Sequence, residues 1–218
     1  MKNKSIYFGI AILLVSATLA CSFGFLGGPQ LPPDILFQDN FSDSTSGWDR
    51  IESEEFATDY KNDVYEIQVK DDSTMAWANP GLDFFDVIVE TDAIKIAGTD
   101  DNSLGIICRY SETEDASNFY FFVISSDGFY GIGKVIDGQQ EMISSENMEY
   151  SEMIQPGEIS NHLQADCVGN QLVLNVNGHK LANATDEALP SGDVGLIAGA
   201  FSPPGTDILF DNFVVKKP

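Results

Sequence analysis

Three pairs of turn residues, each lying between short apolar runs, constrain the fold of this chain more than any other feature. Asp-Gly occurs at 127–128 and at 137–138, and Asn-Gly occurs at 177–178. Both dipeptides tolerate positive φ angles at the two central positions of a type I′ turn, which joins neighbouring antiparallel strands. The sequence therefore predicts a strand on each side of all three pairs.

The segments around these turns indicate an all-β protein. They are rich in β-branched and aromatic residues, and no stretch keeps a helical period for more than about two turns. In residues 86–96 polar and apolar side chains alternate, with Glu90 and Asp92 on the face predicted to meet solvent. The set predicted to face the core is Val87, Val89, Thr91 and Ala93.

Residues 118–125 differ, because they are apolar on both faces. That pattern is typical of a central strand covered on both sides, or of one that lines a ligand groove. About a dozen strands follow residue 34, which predicts two packed antiparallel sheets.

The first 20 residues have the pattern of an export signal. Lys2 and Lys4 precede an apolar run from Ile6 to Ala20. As a helix this run would span about 22 Å, short of the roughly 30 Å hydrocarbon core, so a permanent membrane span is not expected. The alternative is a buried first helix.

Cys21 directly follows Ala20, as in the signals of bacterial lipoproteins, in which the cysteine becomes the acylated N-terminus. Thr18 departs from the Leu usual in those signals, and ordinary signal peptidase, which accepts small residues, could cut the same bond. The lipoprotein interpretation predicts lipidation of Cys21, a Gly/Pro-rich linker over 21–33 and a domain over 34–218. It also predicts a location on the extracytoplasmic face of a bacterial cell membrane.

The cysteine count favours the lipoprotein interpretation. An exported protein with three cysteines can form one disulfide, which leaves the third cysteine without a partner. If Cys21 carries lipid, Cys108 and Cys167 remain as a pair that is free to form a disulfide outside the cytosol. Closing a loop of about 60 residues would stabilise the fold by up to about 4 kcal/mol. Two buried free thiols are the alternative.

The charge of the chain restricts its partners. Removing residues 1–20 takes away two lysines and no acids, which leaves nine basic and 34 acidic residues and a net charge of −25. Such a surface repels nucleic acid and anionic lipid headgroups. We therefore expect no nucleic-acid partner, and contact with the membrane through the lipid anchor only.

Five segments together resemble one superfamily: DNFSDSTSGW, NFYFFVISSDGFYGIGKV, NHLQADCVGNQLVLNVNG, GDVGLIAG and FDNFVV. Over about Asp34 to Val215 the chain is similar to the concanavalin A-like lectins and glucanases. Within them it resembles the laminin-G-like jelly rolls and the 3-keto-disaccharide hydrolase family. The resemblance implies a jelly-roll sandwich. Relatives often bind sugars on the concave sheet, and some hydrolyse them.

The glucanase motif of this superfamily is incomplete here. It runs Glu-x-Asp-x-Glu or Glu-x-Asp-x-x-Glu along one strand and supplies a nucleophile and an acid/base. Glu90 and Asp92 match its start, but Ile94 and Lys95 occupy the two possible positions of the second Glu. The sequence therefore leans against a hydrolase, and predicts no catalytic residue.

Sugar binding needs aromatic faces and a few fixed polar groups. Strand parity suggests that several such residues share one exposed sheet face. The alternative for each aromatic residue is core packing. The candidates are Trp77, Arg109, Tyr120, Tyr130 and Lys134, with Glu90 and Asp92 as hydrogen-bond acceptors.

Similar segments near the two ends of the domain, 37–41 and 209–213, suggest terminal strands that lie side by side and close the sandwich. Jelly rolls of this superfamily often hold one ion near their terminal strands. A structural Ca²⁺ is therefore a hypothesis, and capping of turns is the alternative; we expect no other cofactor. The candidate ligands are Asp39, Asn40, Asp211 and Asn212.

Three functions follow from these patterns. The first is an exported, lipid-anchored, non-catalytic binding module whose ligand is carbohydrate or another component of the cell envelope. The second is a glycoside hydrolase or lyase acting on modified sugars. The third is a structural envelope protein, which predicts a concave sheet face that is flat or plugged.

Overall fold

The computed structural model describes residues 31–113 and 116–218. These ranges contain sixteen strands and no helix, so none that could span a membrane. The proposed signal over 1–20, Cys21 and the linker up to residue 30 lie outside the described residues. The strands are β1 (Ile35–Asp39), β2 (Ile51–Glu52), β3 (Phe56–Lys61), β4 (Val64–Val69), β5 (Thr74–Ala78), β6 (Val87–Ala97), β7 (Asn102–Glu112), β8 (Ser117–Ile124), β9 (Phe129–Ile136), β10 (Gln139–Met142), β11 (Glu149–Tyr150), β12 (Asn161–Val168), β13 (Gln171–Val176), β14 (His179–Thr185), β15 (Asp193–Ala200) and β16 (Thr206–Lys216).

The strands form two antiparallel sheets, as the sequence predicts. The nine-stranded sheet has the order β14-β13-β12-β6-β16-β4-β3-β2, and β1 pairs with β16. The seven-stranded sheet has the order β10-β9-β8-β7-β15-β5, and β11 pairs with β9. Neighbours such as β6 and β16 are far apart in sequence, so the fold depends on long-range pairing.

The main core lies between the two sheets. Along β6 the alternation is as predicted: Val87, Val89, Thr91 and Ala93 are all 1% exposed or less. Cys108 of β7 and Cys167 of β12 form the predicted disulfide, with Cα atoms 6.8 Å apart. Because these strands belong to different sheets, the bond joins the two layers covalently.

The strands predicted on each side of the three turn pairs are all confirmed, whereas the type I′ geometry occurs at two of the three pairs. Asp137 and Asn177 have φ angles of 50° and 51°, and the glycine after each also has a positive φ, as a type I′ turn requires. Residues 125–128 form a longer loop between β8 and β9, in which only Gly128 has a positive φ. Another two-residue turn, at residues 62–63, joins β3 to β4; both residues have a positive φ, and neither is glycine.

The terminal strands lie side by side, as predicted. β1 pairs antiparallel with β16, and Asp39 lies opposite Phe213. Phe213 packs edge-on against Trp48, with ring centroids 4.8 Å apart, and Trp48 also contacts Phe41 and Tyr65. These contacts bury the aromatic residues that recur near the two ends of the domain.

Candidate functional site

The outer face of the seven-stranded sheet carries a second apolar layer, separate from the main core. Along β8 the side chains alternate, so Tyr120, Phe122 and Ile124 face the main core. Phe119, Phe121 and Val123 point to the other side. The strand is thus apolar on both faces, as its sequence indicates. Ile107 of β7 and Ile197 of β15 complete the buried part of the outer layer.

Glycines shape this outer face. A Cβ atom on Gly133 would lie 2.1 Å from Cζ of Phe121, and one on Gly131 would lie 2.2 Å from Cε of Met142. Both distances are far below van der Waals contact. The Phe121 and Met142 side chains therefore pack directly against the backbone of the two glycines, which leaves space for pockets on this face of the sheet.

The first pocket, which we call the aromatic pocket, has a volume of about 250 Å³. The Trp77 ring lies 5.2 Å from Phe119 and the Tyr110 ring lies 6.1 Å from it, centroid to centroid. Trp77 and Tyr110 are both only partly buried. Its lining residues are Asp49, Ile51, Phe56, Met75, Trp77, Tyr110, Glu112 and Ser117.

The second pocket, the methionine pocket, has a volume of about 200 Å³ and shares Met75 with the aromatic pocket. Its lining also includes Met142, Met148, Phe121 and Phe201. The third, the end pocket, has a volume of about 620 Å³ and shares Met148 and Phe201 with the second. Polar residues of the end pocket are Asp101, Asn102, Ser125, Asp127 and Asn147.

We call the three pockets together the groove, because neighbouring pockets share lining residues. Glu112 lines the aromatic pocket and Asn102 lines the end pocket, at opposite ends of β7. At about 3.3 Å per residue, β7 spans roughly 30 Å between them.

Among the predicted site residues only Trp77 lies in this groove. Arg109 does not, because β7 has a β-bulge there and Arg109 has a φ of 55°. The bulge directs Tyr110 outward to the aromatic pocket and leaves Arg109 3% exposed. In an unbroken strand, parity would direct Arg109 away from the core, and the bulge reverses that direction.

Arg109 instead holds loops at the edge of the main core. Its guanidinium donates to the carbonyl of Leu189 at 2.8 Å, to the carbonyl of Gly169 at 2.7 Å and to Asp86 Oδ1 at 3.3 Å. The guanidinium also lies 6.0 Å from the ring centroid of Tyr120. These contacts join three loops to β7.

For Tyr120 the structure shows the alternative, core packing, because its side chain faces the main core and is 0% exposed. Its hydroxyl donates to Asp186 Oδ1 at 2.6 Å, and Lys134 Nζ donates to Asp186 Oδ2, also at 2.6 Å. Burial, with the Asp186 hydrogen bond, raises the pKa of Tyr120 to about 12. The hydrogen bond to Asp186 raises the pKa of Lys134. Tyr120, Lys134 and Arg109 thus converge, but on an internal polar cluster.

The other predicted ligand-binding residues lie elsewhere. Tyr130 packs against the main core and donates to Glu149 at 3.1 Å. Glu90 and Asp92 lie on the outer face of the nine-stranded sheet, where Glu90 pairs with Lys216 and Asp92 accepts from Asn212 at 2.9 Å. The predicted set is therefore divided between both sheets.

The proposed calcium ligands are partly gathered. Asp39, Asn40 and Asn212 line one pocket on the terminal strands, and Asp211 does not. Asp39 accepts hydrogen bonds from the Phe41 backbone and from Trp48 Nε1. No group of three or more His, Cys, Asp or Glu side chains suited to a metal occurs in the described ranges. Asp39 and Asn40 each accept a hydrogen bond from the backbone amide two residues on, as in turn capping, and calcium binding stays a prediction.

Sequence reasoning missed most of the groove, including Tyr110, the three methionines and Phe201. One signal is present: Gly131 and Gly133 stand at alternate positions of β9 and leave that part of one strand face without side chains. Such a face is where a neighbouring large residue can lie flat. The bulge that exposes Tyr110 has no comparable signature.

The sequence matches no family model, and no curated protein is similar to it. Solved structures do resemble it. The carbohydrate binding module CBM66 from Bacillus subtilis is 16% identical with a TM-score of 0.60, covering 79% of this chain and 96% of that one. A Bacillus subtilis protein of unknown function with a galectin-like fold is 11% identical with a TM-score of 0.64, over 84% and 96%. Bacillus licheniformis beta-glucanase is 9% identical with a TM-score of 0.60, over 84% and 97%.

The fold is a concanavalin A-like jelly roll. These neighbours include both a carbohydrate-binding module and glycoside hydrolases, and at identities of 16% or less the likeness concerns fold only. What distinguishes such proteins is the set of side chains on the site. On the groove of this chain, Asp49 and Glu112 are the carboxylates of the aromatic pocket, and Asp101 and Asp127 those of the end pocket.

Proposed function

We propose that this protein is an exported, lipid-anchored and non-catalytic module that binds carbohydrate in the groove of the seven-stranded sheet. One observation carries the proposal: Trp77 and Tyr110 line a single open pocket together with Asp49, Glu112 and Ser117. Aromatic faces pack against the C–H groups of sugar rings, while carboxylates and hydroxyls accept and donate hydrogen bonds to sugar hydroxyls. Carbohydrate-binding and glycan-cleaving neighbours with the same fold support the proposal.

The binding half of the proposal is tested with the purified domain on a panel of neutral polysaccharides. Wild-type protein should bind at least one of them, and Trp77→Ala should weaken that binding about tenfold or more, as expected for an aromatic anchor. Phe85→Ala is the matched control, since Phe85 is 71% exposed and does not line the groove. Absence of binding to every glycan would leave the structural envelope role.

Export and anchoring are tested separately in a bacterial host. We expect the full chain to appear in the membrane fraction with an acylated N-terminus, and Cys21→Ser to abolish acylation. Its location on the extracytoplasmic face is checked by protease accessibility. The protein should be digested when protease is added to cells whose outer envelope has been permeabilised and whose cytoplasmic membrane is intact. A wild-type N-terminus without acyl groups would contradict the lipoprotein interpretation.

A hydrolase is the second candidate, because two carboxylates line the aromatic pocket. Asp49 Oδ2 accepts a hydrogen bond from the Asn79 backbone at 3.0 Å, and Glu112 is exposed. Retaining or inverting hydrolysis requires two carboxyl groups on opposite sides of the scissile bond. Release of reducing ends from a bound polysaccharide, lost in both Asp49→Asn and Glu112→Gln, would establish this activity. Binding without cleavage would exclude it for that polysaccharide.

A further inference from the structure

The methionine pocket is chemically unlike the rest of the groove. None of its twelve lining residues carries a charge, in a domain whose net charge is −25. Three of them are methionines, Met75, Met142 and Met148, whose flexible thioethers adapt to apolar ligands of different shapes. Only four of the twelve, Ser73, Thr74, Ser103 and Gln140, have polar side chains that could bond sugar hydroxyls.

The backbone around this pocket keeps it open. A Cβ atom on Gly199 would lie 2.4 Å from Ser103 Oγ and 3.2 Å from Met75 Cγ. Met142 occupies the space above Gly131. The floor is made by Phe121 and Val123, which belong to the buried outer layer. The pocket is thus a formed apolar recess of about 200 Å³.

Its position relates it to the carbohydrate site. Met75 lines both the methionine pocket and the aromatic pocket, so the two pockets adjoin at its side chain. The acidic surface of the domain disfavours an anionic occupant. The occupant that fits both pockets is therefore a neutral sugar with an apolar substituent.

We propose that the groove recognises a glycoconjugate in which a neutral sugar lies on Trp77 and Tyr110 and an uncharged alkyl or acyl group fills the methionine pocket. This inference rests on the proposed function and names the class of its ligand. The sugar is held by stacking and hydrogen bonds. The apolar group is held by its removal from water, which contributes about 0.8 kcal/mol per methylene, equivalent to roughly a fourfold gain in affinity.

The test uses methyl, butyl and hexyl glycosides of glucose, galactose and mannose, together with 1-hexanol, titrated into the purified domain by calorimetry or ligand-observed NMR. We expect affinity to rise about fourfold per methylene for at least one sugar, and hexanol to bind more weakly than the corresponding hexyl glycoside. Equal affinities for the methyl and hexyl compounds would overturn the inference and leave the proposed carbohydrate site standing.

Variants assign the gain to the pocket. Met142→Gln and Met148→Gln introduce a polar side chain of similar length and should remove most of the chain-length dependence. Met153→Gln is the control, because Met153 is 41% exposed and lies outside the groove. Thermal melting verifies that each variant is folded. A chain-length effect that survives both pocket variants would overturn the assignment.

Two further outcomes separate this inference from the proposed function. Trp77→Ala should weaken the binding of the hexyl glycosides and leave the affinity for hexanol unchanged, since only the glycosides place a sugar in the aromatic pocket. Hexanol binding as tight as that of every hexyl glycoside would mean that no sugar is recognised, and would overturn both. Displacement of hexanol by an apolar peptide such as acetyl-Leu-Leu-amide, but by no glycoside, would identify a polypeptide as the occupant and overturn the glycoconjugate.

Discussion

At the scale of single residues, the bulge at Arg109 decides which side chains form the site. One residue with a φ of 55° reverses the parity of β7, so that Tyr110 enters the groove and Arg109 turns to the core edge. There the Arg109 guanidinium donates hydrogen bonds to two carbonyl oxygens and to the Asp86 carboxylate. A buried Arg with three acceptors has a structural role, because removing it leaves those acceptors without a donor.

Arg109→Met should therefore lower the free energy of unfolding by about 2–4 kcal/mol, since the carbonyls of Leu189 and Gly169 lose their partner while the aliphatic volume is kept. Urea unfolding followed by fluorescence measures this. Arg50→Met is the control: Arg50 pairs with Asp59 in the open, so its loss should change stability little. A similar stability for both variants would contradict the structural role of Arg109.

Asp207 makes stability depend on pH. Burial, and then the neighbouring Glu66 carboxylate, raises the pKa of Asp207 to about 6, while Lys61 acts in the opposite direction. The unfolded value is about 3.9. Since the folded protein holds this proton more tightly, its contribution to stability is complete below about pH 4 and is lost as the pH rises through 6.

Asp207→Asn should accordingly flatten the fall in unfolding free energy between pH 4 and 7, and stabilise the protein at pH 7.5 by up to about 2 kcal/mol. Part of the slope should persist, because burial also raises the pKa of Asp193 to about 6. Urea titrations across this pH range provide the measurement, with the exposed Asp72→Asn as the control of equal charge. An unchanged slope in Asp207→Asn would refute the assignment.

At the scale of elements, β7 connects the site to the rest of the molecule. It pairs with β8 and β15, whose outward side chains form the floor of the groove. On its other face, Cys108 is bonded to Cys167 of β12 in the opposite sheet. The strand that presents Tyr110 is therefore held to the second layer close to that residue.

Replacing both bonded cysteines by alanine should lower the free energy of unfolding by about 2–4 kcal/mol, because the bond closes a loop with a sequence separation of 59. Urea unfolding of the double variant and of the reduced wild type should give similar midpoints. Dithiothreitol should have no effect on the double variant. A wild-type midpoint insensitive to reduction would contradict a stabilising bond.

At the scale of the whole molecule, charge opposes folding. Nine basic and 34 acidic residues follow residue 20, and the resulting self-repulsion destabilises the compact state at low ionic strength. Salt reduces this repulsion, since the Debye length falls from about 30 Å at 0.01 M to about 3 Å at 1 M.

We expect the melting temperature to rise by about 2–4 °C between 0.02 and 0.5 M NaCl, the shift that about 1 kcal/mol produces in a domain of this size. Calorimetry or thermal fluorescence measures the change. NaBr serves as the comparison, because both salts screen equally while their specific effects differ. A melting temperature that falls in both salts would show that favourable ion pairs outweigh the repulsion.

The amino-acid sequence by itself determined the fold class, because alternation, apolar runs and Asn-Gly or Asp-Gly turns are local properties of neighbouring residues. It also identified the cysteine pair, the buried face of β6 and the pairing of the terminal strands. It did not predict the groove. Of the seven predicted ligand-binding residues only Trp77 lies in the groove.

Only the tertiary structure decided the rest, and the reason is physical. The direction of a strand side chain depends on every residue before it, so one bulge at Arg109 moves Tyr110 from one face to the other. The groove itself is made by residues far apart in the chain, such as Met75, Tyr110 and Met142, which adjoin only because β5, β15, β7, β8, β9 and β10 pair in that order. Local patterns specify strands, whereas a binding surface depends on how distant strands are placed beside one another.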